Sequence, residues 1–85
     1  MKKDLKFAKK LKQLRLEKDL SQEELADAVN KAHGTNIRKG MISKWESGTD
    51  TPRSRNLVAL ALFFGVRVDW FLALTDQKYD ERGES

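Results

Sequence analysis

The chain contains no cysteine. It therefore has neither disulfides nor a cysteine-ligated zinc site to hold it together, and nothing argues for an oxidising compartment. No apolar run approaches the roughly 20 residues needed to cross a bilayer. The lysine-rich start is not followed by the apolar segment of a secretion signal. There is one histidine, His33, next to Gly34, and it is read as neither metal ligand nor base. Without a thiol, a glycine-rich phosphate loop or a cluster of ligating side chains, the parts of an enzyme are missing. No metal, no cofactor and no catalytic residue is expected, and a cytoplasmic protein without a membrane role is the default. At 85 residues, the chain allows one small domain with a marginal core.

What is present is charge, unevenly placed. Residues 1–18 hold eight lysines and arginines against two acids, whereas residues 75–85 hold two against four. A basic body with an acidic tail points to an anionic partner, nucleic acid or a membrane surface. The same lysines would also serve merely to solvate a helix face, and charge alone does not decide. Phe7, Leu11 and Leu14 are better used in a protein core than on lipid.

Hydrophobic spacing predicts helices and no sheet. Phe7, Leu11 and Leu14 recur at i, i+4 and i+7, giving an amphipathic helix over 5–17. "SQEEL" at 21–25 is a capping box in which Ser21 and Glu24 satisfy each other's backbone donors. A second helix starts at Gln22 and stops at Gly34. A third covers roughly 39–47 and ends at Gly48. Ser54 is positioned to cap a fourth, which Gly65 ends, and "VDWFLAL" at 68–74 reads as a short fifth with Asp69 at its positive end. From Thr75 the chain is polar and is expected to fray, so residues 75–85 are read as a tail or linker. The expected core is Leu5, Phe7, Leu11, Leu14, Leu20, Leu25, Val29, Ile42, Trp45, Leu57, Leu60, Phe64, Val66 and Phe71, with Trp70 either core or part of a dimer face.

On the third helix, Gly40, Ser43, Lys44 and Ser47 share one face, and Ile42, Trp45 and Glu46 turn away from it. That small, polar, basic face suits an approach to base edges, although an ordinary solvated surface has the same composition. Together "LKQLRLEKDLSQEELA" (11–26), "ISKWESG" (42–48), "TP" (51–52), "NLVALALFFGV" (56–66) and "VDWFL" (68–72) resemble the Cro/cI-type, lambda-repressor-like helix-turn-helix family over about residues 5–74. The resemblance implies an all-α, compact five-helix bundle whose third helix enters the major groove. It implies a homodimer on a near-palindromic double-stranded DNA operator, and a transcription regulator, a repressor of phage, plasmid or bacterial origin. An antitoxin-type protein-binding module with the same fold is the alternative, favoured by a broad apolar patch outside the helix-turn-helix.

Residue by residue, the resemblance implies base reading by Lys39, Gly40, Ser43, Lys44 and Ser47. It implies phosphate contacts from Gln22, Arg38 and Thr49, with the second helix's N-terminus adding backbone donors at Gln22. It also implies an inward ion pair between Arg15 and Glu46, which accounts for a carboxylate inside a DNA-reading helix. The pattern breaks at "NKAHGTNIRKG" (30–40), which is longer than the family's usual connection and predicts a second helix lengthened by a turn or so. Arg38 stands where the family usually caps its third helix, leaving Asn36 as the candidate cap. The same break leaves open whether Arg38 and Lys39 lie in the groove or along the phosphates beside it.

Overall fold

Local chemistry decides where each helix begins and ends, and the sequence reads most of these points. The computed structural model describes residues 5–79. Within them lie α1 (Leu5–Glu17), α2 (Gln22–His33), α3 (Lys39–Glu46), α4 (Ser54–Phe64) and α5 (Val68–Phe71), with no strand. α2 opens on the capping box: the Glu24 N–H donates to Ser21 Oγ at 3.0 Å, and the Ser21 N–H donates to Glu24 Oε1 at 2.8 Å. α4 ends on left-handed Gly65, with the Val66 N–H bonded to Ala61 O and the Gly65 N–H to Leu62 O.

α1 ends in the same double bond pattern without a glycine. Asp19 takes the left-handed position with φ 56°, while the Leu20 N–H bonds to Arg15 O and the Asp19 N–H to Leu16 O. Ala73 does the same after α5, with φ 63°. That residue stops α5 at Phe71 rather than letting it run to Leu74. A non-glycine residue in this conformation carries strain of roughly 1–2 kcal/mol, eased at Asp19 by its short polar side chain.

Two caps expected from the sequence are not made. Ser54 is the first residue of α4, not its cap; Arg53 occupies the cap position and makes no side-chain cap bond. Asn36 does not cap α3 either, because the helix cannot begin until after Ile37, whose backbone N–H and C=O are both held by Asn30. Arg38 is therefore the cap residue, with extended backbone, and its carbonyl accepts from the Met41 and Ile42 N–H groups. α3 has Ser47 as its C-cap and stops, as expected, at left-handed Gly48 with φ 78°.

The helices share one core. Phe7, Leu11 and Leu14 of α1 meet Leu25, Ala26 and Val29 of α2, Ile42 and Trp45 of α3, Leu57 and Leu60 of α4, Val66, and Phe71 of α5. The rings of Phe7 and Phe71 lie 4.6 Å apart, joining α1 to α5. Leu11, Leu25, Ile42, Leu60 and Phe71 are fully buried, and each contributes about 1.5–3 kcal/mol from burial. Three expected members fall short. Leu5, at the start of α1, is 44% exposed, and Leu20 and Phe64 are only partly buried against the core. Ile37, not expected in the core, is buried in it.

Within the described part of the expected tail, residues 75–79, the chain meets the bundle at Lys78. The Arg67 N–H donates to Lys78 O at 2.9 Å, returning the chain onto the α4–α5 joint. The Lys78 ammonium lies 5.1 Å from the Trp70 ring, which Lys10 approaches from α1 at 4.9 Å. Trp70 is partly buried beside Phe71. Residues 80–85 of the expected tail lie outside the described residues.

Candidate nucleic-acid interface

α3 is eight residues long, or about 12 Å at 1.5 Å per residue, and each end of it is fastened differently. At its C-terminal end the fastening is ionic. Arg15 Nε donates to Glu46 Oε2 at 2.6 Å and Nη2 donates to Oε1 at 2.9 Å, a two-pronged match of planar groups. Arg15 Nη1 donates to Leu20 O at 2.8 Å, so the left-handed turn at Asp19 supplies the third acceptor. Gln22 Nε2 completes the group, donating to Glu46 Oε1 at 3.1 Å.

The two charged side chains are 9% and 5% exposed. The Glu46 hydrogen bond holds the Arg15 guanidinium above its ordinary pKa, against the opposing effect of burial. No buried side-chain polar atom is left without a partner among the described residues. One arginine thus ties α1, the α1–α2 turn and α3 together.

At the N-terminal end the fastening is neutral. Asn30, in the last turn of α2, accepts through Oδ1 from the Ile37 N–H and from Thr35 Oγ1, both at 2.7 Å. Its Nδ2 donates to Ile37 O at 2.8 Å. Gly34, left-handed with φ 67°, ends α2 and donates its N–H to Asn30 O. The lengthened connection is thus a rigid bracket that buries Thr35 and Ile37. Sequence reasoning missed this role of Asn30. The available signal is an asparagine four residues before a helix-stopping glycine and seven before an isolated isoleucine.

Between these fastenings Lys39, Gly40, Ser43 and Lys44 are all exposed, and Ile42 and Trp45 are buried behind them. Gly40 has open space where a Cβ would stand, so the protein itself does not require a glycine there. Ser47 is differently placed from the other candidate base readers. As C-cap, its hydroxyl donates to Lys44 O at 3.0 Å and lies 2.8 Å from Thr49 Oγ1, so it closes the helix. Thr49 is exposed at the same end, its N–H bonded to Lys44 O. Arg38 is exposed at the opposite end. Gln22 is half-buried, with one amide proton committed to Glu46.

Among the described residues no group of three or more acidic or histidine side chains is placed to hold a metal ion, and no helix is long and apolar enough to cross a membrane.

Residues 11–71 match the helix-turn-helix family model. The chain is similar to the HTH-type transcriptional activator BcrR of Enterococcus faecalis, with 38% identity over 69 residues, 81% of this chain and 31% of that protein. It is also similar to the cryptic phage CTXphi transcriptional repressor RstR of Vibrio cholerae, with 32% identity over 79 residues, 93% of this chain and 66% of that protein. It thus spans about a third of the length of the one and just under two thirds of the other. No solved structure gives a significant match. With five helices in the expected order and the match covering α2, α3 and most of the core, the chain belongs to the Cro/cI-type helix-turn-helix family.

Proposed function

We propose that the chain is a sequence-specific DNA-binding transcription regulator that reads the major groove with α3. The observation that carries this reading is the contrast across α3. One side is anchored by the Arg15–Glu46 pair and the core, and the other offers Lys39, Gly40, Ser43 and Lys44 with no carboxylate among them. Lys44 is the donor for guanine O6 or N7, and Gly40 lets the backbone come close to the groove floor. Gln22, Arg38 and Thr49 serve the phosphates on either side, and Ser47 reaches DNA only if it leaves its bond to Lys44 O. Both similar proteins are named as transcription regulators, one an activator and one a phage repressor. The repressor, which matches over more of this chain, favours repression, in the cytoplasm and of phage, plasmid or bacterial origin.

The functional unit is a homodimer on a near-palindromic operator whose half-site centres lie about 34 Å apart. Leu62 of α4 and Leu74 beyond α5, 64% and 74% exposed, are the side chains we assign to a protein–protein contact. The same side chains support the second reading, an antitoxin-type module that holds a different protein there.

Gly40→Ala tests the reading. Alanine meets no atom of the protein and favours the helix by up to about 1 kcal/mol, so thermal stability should hold or rise while operator affinity falls. An unchanged affinity on an operator selected from random DNA overturns the placement of α3 in the groove. A one-to-one complex at all concentrations overturns the dimer.

A further inference from the structure

Three arginines make side-chain hydrogen bonds that stand in contrast. Arg15 and Arg67 each face a carboxylate. Arg55, exposed in the first turn of α4, faces none among the described residues; Nη2 donates to Gly34 O over a long 3.4 Å. Gly34, Thr35, Asn36, Arg55 and Asn56 line a polar cleft of about 160 Å³ between the α2–α3 connection and α4. One wall of that cleft is held by the Asn30 bonds and by burial of Thr35 and Ile37. Asn36 is left exposed at the rim.

The surroundings are cationic. From Ala28 to Trp45 the chain has no acid, while Lys31, Arg38, Lys39 and Lys44 are all exposed. Of the acids that border this stretch, Glu46 is closed into the Arg15 pair, and Asp27 and Asp50 are exposed but neither pairs with Arg55. A guanidinium whose single described partner is a distant carbonyl, beside a hydrogen-bonded polar wall built from an acid-free stretch of chain, is built to meet an anion from outside.

We propose that this cleft seats a backbone phosphate of DNA, beyond the base pairs that α3 reads and on the side of its N-terminus. The connection between α2 and α3 then lengthens the footprint along the duplex. The proposal rests on the reading of α3 given above and adds to it a contact that carries position but no base sequence.

The test uses the full chain, a selected operator, and operators in which single flanking phosphates are replaced one at a time by neutral methylphosphonates. Arg55→Gln should lower the salt slope by about 0.9 and weaken binding about 8-fold at 0.1 M salt, the change that slope gives over a tenfold dilution from 1 M. Arg55→Lys should keep most of the affinity. Asn36→Asp, a change at an exposed side chain, should leave the thermal midpoint in place and weaken operator and scrambled DNA alike. Neutralising one flanking phosphate should weaken the wild type by the same factor and leave Arg55→Gln unaffected, so the two losses do not add. Losses that add at every flanking position, or an Arg55→Gln variant with the wild-type salt slope, overturn the proposal while discrimination between operator and scrambled DNA stays intact. If the wild type itself fails to discriminate, the reading of α3 falls and the proposal with it.

Discussion

The two ends of α3 solve one problem with different chemistry. Its C-terminal end is held by a closed ionic group in which Arg15, Glu46, Gln22 and the Leu20 carbonyl satisfy one another. Its N-terminal end is held by one neutral amide that completes the backbone of a loop. A buried pair costs several kcal/mol in desolvation per ion and recovers it only in good geometry, whereas a buried amide has less to recover. The ionic end should therefore be the more brittle when half of it is removed. The neutral end should fail more gently, and locally.

The largest expected effect breaks the ionic end. Glu46→Ala leaves a buried guanidinium without its anion and should destabilise by about 3–5 kcal/mol, read as a shift of the urea midpoint at constant slope. Arg15→Met with Glu46→Leu should cost much less than either single truncation. A loss within about 0.5 kcal/mol for Glu46→Ala, the range of an ordinary surface change, would show that the pair fastens nothing.

Next comes the neutral end. Asn30→Ala strips partners from the N–H and C=O of Ile37 together, for about 2–3 kcal/mol. Amide exchange should accelerate first at Ile37 and Gly34, with the C-terminal half of α3 still protected. Uniform acceleration along α3 would mean that the two ends act as one unit.

These two ends were not equally legible. Arg15 and Glu46 lie on inward faces that helical phase and the family pattern both mark, and the structure pairs them. Asn30 is marked only by its distance from Gly34. An asparagine within a helix signals competition with the backbone, but not which loop it will complete seven residues later. Ile37 stands alone among polar residues, so no periodicity reports its burial. Ser54 and Asn36 are sound cap residues by type, yet the backbone puts Arg53 and Arg38 in the cap positions. Ser47 sits in phase with Lys44, but the helix ends before it and frees its hydroxyl to bond the Lys44 carbonyl. Phase shows which way a side chain points; it does not show where a helix stops.

A smaller pair of effects comes from the left-handed residues beside each fastening. Gly34→Ala meets no atom and should cost about 1 kcal/mol from backbone strain alone, loosening the neutral end. Asp19→Gly should add up to about 1 kcal/mol by relieving the same strain at the turn that offers Leu20 O to Arg15. Thermal melts of the two variants should move in opposite directions, and a common direction would count against strain as the cause.

The smallest effect calibrates the ionic end from outside. The hydrogen bond from half-exposed Arg67 holds the Asp69 carboxyl below the usual carboxylate range, against a weaker effect of burial. Any stability it adds is complete above the ordinary carboxylate pKa and is lost as pH falls through the depressed folded value. Arg67→Ala should move the carbon-13 titration midpoint of Asp69 upward, with little change in the melt at neutral pH. A midpoint that stays in place would show that the pair does not persist in solution.

The two indoles give the molecule separate optical reporters. Trp45 belongs to the reading helix but keeps its ring in the core, 3% exposed. Trp70 is partly buried, with the ammonium groups of Lys10 and Lys78 close to its ring. Emission from Trp45 therefore follows whether α3 is docked, and emission from Trp70 follows whether the chain after α5 has folded back. With either indole replaced by phenylalanine, the colour and quenching of the other resolve in time which end of the bundle lets go first.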